Sequence, residues 1–123
     1  MKIGDYILTL FNARTAAHVM HLQVSGPGSY AAHKALEGFY DGIVGLADEL
    51  AEAYQGCYEE LLNIPLLTNE YKGNIVDVLK KQKQWIESNR NAIVPRENTA
   101  LHNIIDEAVA LFDKTIYKLT FLK

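Results

Sequence analysis

Histidine and carboxylate side chains recur at helical spacing between residues 33 and 52 of the sequence. His33 and Glu37 are four residues apart, and so are Asp48 and Glu52. On a helical wheel at about 100° per residue, these four positions fall within roughly 100° of one another. Imidazole and carboxylate groups on one face suit iron, manganese or zinc. The same pattern is also typical of the solvated edge of an amphipathic helix, and taken alone it leaves both interpretations open.

The two pairs are too far apart to hold one ion within one chain. Asp48 follows Glu37 by eleven residues, which is about 16 Å along a helix that rises about 1.5 Å per residue. Two copies of this helix, antiparallel about a two-fold axis near Val44, would bring His33 and Glu37 of one chain to the two later acids of the other. Because such an interface repeats every contact, the spacing predicts metal ions bound between subunits.

With His21 added, the pattern resembles the signature of the Dps proteins, which are ferritin-like mini-ferritins. That signature has a histidine, a second histidine twelve residues later and an acid four beyond it. An aspartate follows after eleven more residues, and a glutamate after a further four. The chain supplies these five residue types at those intervals without a gap: His21, His33, Glu37, Asp48 and Glu52. The resemblance covers residues 21–52.

The resemblance implies a ferroxidase centre at a two-fold interface, with all five residues as metal ligands and catalytic residues. One subunit would supply the two histidines and Glu37, and its partner Asp48 and Glu52. By analogy, Glu52 binds the more tightly held iron together with His21 and Asp48. His33 and Glu37 serve a second, weaker site. The implied activity is oxidation of Fe(II), commonly with hydrogen peroxide, and storage of Fe(III) inside a hollow dodecamer.

The chain departs from the Dps pattern at several positions. Glu37 stands where the family usually has Asp, and Ala53 stands where it usually has Arg. Leu22 and Gln23 replace the usual Trp and Asn. The chain is also shorter than typical members. A second hypothesis is therefore a non-catalytic ferritin-like oligomer that keeps the ligands as relics or binds zinc for assembly.

The elements that position these residues are predicted to be helices. Prolines at positions 27, 65 and 95 separate four stretches of helical periodicity, and no stretch shows sustained period-two alternation. The predicted helices cover residues 5–24, 30–55 and 70–93, and a fourth begins after Asn98 or Thr99. Ser29 is the predicted cap of the second helix and Gly56 its stop. The apolar segment 57–69 is expected to pack as a short helix or crossover, or to meet another subunit.

We therefore expect one all-α domain over residues 1–123, a ferritin-like four-helix bundle with a longer crossover between helices two and three. The net charge of −3 disfavours DNA binding, which depends on basic side chains that grip phosphates. No apolar run is long enough for a membrane span, and no secretory signal is recognisable, so we expect a cytoplasmic protein. Cys57 is expected to be buried and inert, His18 to be a surface or hydrogen-bonded residue, and His102 to be exposed.

Overall fold

Four helices pack side by side in the computed structural model, which describes residues 2–66 and 73–123. They are α1 (Ile3–Gln23), α2 (Ser29–Tyr58), α3 (Ile75–Ile93) and α4 (Thr99–Phe121). The two described ranges contain no strand, so the prediction of an all-helical four-helix bundle is confirmed for them. α2 packs between α1 and α4, and α3 lies against α4 and α1. None of the helices described is long and apolar enough to cross a membrane.

Apolar side chains at three- and four-residue spacing form the core and fix the position of α2. The rings of Phe39 and Phe112 meet edge to face with centroids 4.9 Å apart, which joins α2 to α4. The buried Tyr6 hydroxyl donates a hydrogen bond of 2.8 Å to the carbonyl of Ile86, which joins α1 to α3. Burial of apolar surface at about 25 cal/mol per Å² is the main stabilising term.

Both predicted boundaries of α2 are wrong. Its N-cap is Gly28 rather than Ser29, because the cap adopts φ 80°, a left-handed conformation that glycine reaches without steric cost. Gly56 does not stop the helix, which continues to Tyr58. One glycine costs a helix only about 1 kcal/mol. The helix ends instead at Glu59, whose φ of 53° leaves the right-handed helical region.

α3 begins at Ile75, later than predicted. The side chain of Asn74 caps it, since its Oδ1 accepts a hydrogen bond of 2.8 Å from the backbone N–H of Val76. The predicted start at residue 70 lies outside the described residues, and Gly73 and Asn74 are not helical. The cap and the preceding glycine explain why the apolar periodicity overestimates the length of this helix.

The segment after α2, residues 60–66, is neither helix nor strand, and we refer to it as the crossover segment. It lies across the first turn of α1. A Cβ atom on Gly4 would stand 2.0 Å from the carbonyl oxygen of Asn63, so glycine is required for this approach of two backbones. Leu62 and Ile64 pack against the core, which confirms for them that the segment packs on the bundle. Residues 67–69 of the predicted crossover lie outside the described part.

Two side chains lie in surroundings other than those predicted. Cys57 is exposed rather than buried, because the last turn of α2 projects beyond the core. His102 is half-buried rather than exposed. Arg90 Nε donates a hydrogen bond of 3.1 Å to His102 Nδ1, and the same guanidinium donates to the His102 carbonyl at 3.0 Å. His102 therefore joins the end of α3 to the start of α4.

Candidate metal centre

His21 and His33 form a reciprocal pair between the end of α1 and the start of α2. Nδ1 of His21 lies 2.7 Å from the carbonyl oxygen of His33, and Nδ1 of His33 lies 2.8 Å from the carbonyl oxygen of His21. The two rings stack with centroids 3.6 Å apart and an interplanar angle of 20°. Because a carbonyl oxygen can only accept, both Nδ1 atoms carry a proton and donate.

This pairing leaves Nε2 of each ring as the nitrogen that can bind a ligand. A neutral imidazole that donates through Nδ1 has its lone pair on Nε2. Metal-binding histidines are usually oriented in this way, by donating their other N–H to a carbonyl or a carboxylate. His21 is buried and His33 half-buried, so the ring orientations are fixed by packing as well as by hydrogen bonds. The pair is suited to bind a divalent metal ion.

The same pair closes the turn between α1 and α2. Since α1 ends at Gln23, the carbonyl of His21 is one of the last four in the helix, which lack a partner within the helix. His33 supplies that partner. Gly26 and Gly28 have φ of 86° and 80°, and these conformations let the chain reverse between the two helices. Local turn chemistry therefore brings together two histidines that are twelve residues apart in sequence.

Two more rings pack on the histidine pair. Tyr40 meets His21 edge-on with centroids 5.2 Å apart, and it stacks on His18 at 4.2 Å. His18 is half-buried and is held by this stacking. Sequence reasoning did not place His18 in the cluster. The available signal was its position three residues before His21, which puts both side chains on one side of α1.

Glu37 lies one turn after His33 on α2 and is paired with Lys34. The Lys34 Nζ and Glu37 Oε2 atoms are 3.1 Å apart. The hydrogen bond and the positive charge of Lys34 lower the pKa of the Glu37 carboxyl, and His21 and His33 add smaller contributions in the same direction. Glu37 is therefore an ionised carboxylate beside the imidazole pair.

Asp48 and Glu52 lie exposed, one turn apart, nearer the C-terminal end of α2. Neither forms an ion pair with any residue of the described ranges. Over the same ranges, no three His, Cys, Asp or Glu side chains of one chain converge as a metal site. A single chain thus brings together only His21 and His33 of the five predicted ligands. Glu37, one turn after His33, is bonded to Lys34 instead, and the two later acids lie apart from the histidine pair.

Comparison with known proteins identifies a family. The model of the Family of unknown function (DUF5856) matches residues 21–119, and the chain therefore belongs to this family. All five candidate ligands lie within the matched range. No curated protein and no solved structure matches the chain. The resemblance to Dps proteins stays a prediction from the spacing of those five residues.

Proposed function

We propose that this member of the DUF5856 family oxidises Fe(II) at sites formed between two of its subunits. The observation that carries the proposal is the His21–His33 pair, in which donation through both Nδ1 atoms leaves two Nε2 lone pairs. The Glu37 carboxylate follows one turn later on the same helix. Asp48 and Glu52 of a second copy would supply the remaining oxygen ligands.

The chemistry of this donor set fits iron in both oxidation states. Imidazole nitrogen binds Fe(II), and carboxylate oxygen interacts more strongly with the higher charge of Fe(III). Ligands of this kind therefore favour oxidation. Each of two Fe(II) ions gives one electron to hydrogen peroxide, the O–O bond breaks, and two hydroxide ions form. Because both electrons pass at one site, no hydroxyl radical is released, and the product serves iron storage or protection from peroxide.

The packing of α2 is compatible with a shared site. α2 packs on α1 and α4, and no other described helix covers its remaining side. Asp48 and Glu52 are exposed on that side. An antiparallel pair of α2 helices centred near Val44 would lay these acids beside the histidine pair of the partner. The two-fold symmetry would then produce two equivalent centres, and several such dimers could assemble into a cage.

Iron oxidation by purified protein tests the proposal. Fe(III) formation after addition of hydrogen peroxide is followed by absorbance for the wild type and for Asp48→Asn with Glu52→Gln. The matched control is Glu49→Gln with Glu107→Gln, which removes the same charge at exposed positions outside the proposed site. We expect the Asp48/Glu52 variant to be at least tenfold slower than both other proteins. Equal rates in all three would refute the proposal.

The Lys34–Glu37 ion pair favours a second candidate, a non-catalytic oligomer that binds zinc. Lys34 already neutralises Glu37 at 3.1 Å, which leaves less negative charge for a trivalent ion. Zinc needs four ligands, and two Nε2 atoms with Asp48 and Glu52 of a second copy would provide them. Calorimetric titration with Zn(II) and with Fe(II), on the wild type and the Asp48/Glu52 variant, separates the two candidates. Tight zinc binding without iron oxidation would favour the second.

A further inference from the structure

Each end of α2 carries exposed apolar side chains. Near its N-terminal end, Leu22 is 72% exposed and Tyr30 is 74% exposed. Beyond its C-terminal end, Leu61 is 89% exposed, and Tyr58 in its last turn is 38% exposed. No large apolar side chain between residues 31 and 57 is exposed. Burial of exposed apolar side chains is favourable, so both ends are candidates for contact with a partner.

The two apolar ends are placed symmetrically about the middle of the helix. Tyr30 and Tyr58 are each fourteen residues from Val44, which corresponds to about 21 Å along the axis in either direction. On the helical wheel both lie within about 40° of Val44. A second copy of α2 that runs antiparallel about Val44 therefore brings the N-terminal end of one chain to the C-terminal end of the other.

We propose that these ends are the anchors of a dimer of this chain, in which Leu22 and Tyr30 of one copy pack on Tyr58 and Leu61 of the other. The inference rests on the antiparallel arrangement of the proposed function and adds the contacts that hold it together. The surface is self-complementary because each copy carries both apolar ends. An unrelated partner would need two apolar groups separated by about 42 Å to occupy the same surface.

The negative charge in the middle of the outer face of α2 explains why a dimer needs apolar anchors at the two ends of this helix. Asp41, Asp48 and Glu52 are exposed in the middle. A two-fold axis at Val44 brings Asp41 of one copy near Asp48 of the other, and Glu52 near Glu37. Without a bound cation, these like charges repel. The apolar ends are therefore the attractive part of the interface in the metal-free protein.

The area of the interface leads to the same conclusion. A helix of 30 residues is about 45 Å long and about 11 Å wide, so its outer face offers roughly 500 Å². A stable interface buries about 800 Å² on each partner. The difference has to come from residues that flank α2, and Leu22 and Leu61 are exposed apolar residues in that position.

Sedimentation of metal-free protein in the presence of a chelator tests the anchors. We compare the wild type with Tyr30→Ser plus Leu61→Ser, and with the control Tyr117→Ser plus Phe121→Ser, which removes exposed aromatic rings from α4. Each lost anchor contact should weaken the dimer about tenfold, and the two-fold axis presents each contact twice, so Kd should rise about 100-fold. The control should dimerise like the wild type, and all three should keep the same helical circular dichroism. An unchanged Kd in the Tyr30/Leu61 variant would overturn the inference.

Disulfide trapping gives a second and independent measurement. In a Cys57→Ser background, Ser29→Cys with Glu59→Cys keeps all four anchors and should form a covalent dimer under mild oxidation, because the two positions are also symmetric about Val44. Ser29→Cys with Gln84→Cys, which places the second thiol on an exposed position of α3, should not. Equal yields from the two proteins, or no covalent dimer from the first, would overturn the inference.

The outcomes for this inference and for the proposed function are separable. If the Tyr30/Leu61 variant is monomeric and still oxidises iron at the wild-type rate, the anchors are correct and the shared iron site is wrong. If the variant keeps the wild-type Kd while the Asp48/Glu52 variant loses oxidation, the shared site stands and the anchors are wrong. A wild type that is monomeric with and without Fe(II) would overturn both.

Discussion

Exchanging two glycines for alanine should change the stability of the bundle in opposite directions. Gly4 lies under the crossover, where an added Cβ would stand 2.0 Å from the carbonyl oxygen of Asn63. Gly56 lies in the last part of α2, and no atom would come within 4 Å of its added Cβ. Gly4→Ala and Gly56→Ala are thus the same chemical change in a blocked and in an open position.

The size of each effect follows from these distances. At Gly4, the Cβ and the carbonyl oxygen must move apart by about 1.5 Å to reach ordinary van der Waals contact. The carbonyl of Asn63 belongs to the backbone, which moves less easily than a side chain. We therefore expect the steric clash to cost about 3 kcal/mol, the upper end of the usual range for overpacking. The higher helix propensity of alanine returns up to about 1 kcal/mol, so the net loss is about 2 kcal/mol. At Gly56 only the gain of about 1 kcal/mol remains.

Thermal unfolding followed by circular dichroism measures both effects. For a chain of this size, about 1 kcal/mol corresponds to roughly 4 °C in Tm. Gly4→Ala should lower Tm by about 8 °C, and Gly56→Ala should raise it by about 4 °C. All proteins must be compared at one concentration, since dimerisation stabilises the folded state. A Gly4→Ala protein as stable as the wild type would show that the crossover does not lie on α1.

Two further predictions concern the contacts that α3 makes with α1 and α4. Burial raises the pKa of the Tyr6 phenol above its usual value, so the unfolded chain ionises first. The stability that the neutral phenol contributes is present below about pH 10 and is lost as the pH rises further, by up to about 1.4 kcal/mol per pH unit. Tyr6→Phe should cost about 1 kcal/mol at pH 7 through the lost hydrogen bond, and urea titrations should show this difference closing above about pH 10. A stability difference between the wild type and Tyr6→Phe that stays constant with pH would contradict the burial of the Tyr6 phenol. Arg90→Met removes hydrogen bonds to His102, Asp106 and Glu87 and should cost about 2–3 kcal/mol in urea unfolding. The exposed control Arg96→Met should stay within about 0.5 kcal/mol of the wild type, and equal losses in both would exclude a specific role for Arg90.

The number and approximate extent of the helices could be predicted from the sequence because prolines and apolar periodicity act locally. The two ends of α2 could not be predicted from the sequence. Ser29 and Gly28 are both acceptable caps, and the choice depends on the left-handed turn that joins α1 to α2. Gly56 is a weak helix breaker whose effect is decided by its surroundings. The exposure of Cys57 depends on how far the last turn of α2 extends beyond the core, which the apolar periodicity of the sequence does not show.

For the candidate site, the helix face that the residues share could be predicted from the sequence, but their contacts could not. The spacing of His33, Glu37, Asp48 and Glu52 shows which side of a helix they share. It does not show that His21 and His33 bind each other's backbone, because carbonyl acceptors have no signature in a sequence. The pairing of Glu37 with Lys34 depends on rotamers, and the stacking of His18 depends on the crossing of two helices. These features emerge only from packing.

The double role of the histidine pair bears on how relatives of this chain would diverge. His33 supplies a partner for the His21 carbonyl at the end of α1, so both side chains are needed to close a turn whether or not iron is ever bound. Asp48 and Glu52 form no ion pair with the described residues of their own chain. If the proposed iron site is correct, relatives that lost it would keep both histidines for the turn while residues 48 and 52 changed. The two acids, rather than the histidines, are then the positions that distinguish relatives with the site from relatives without it.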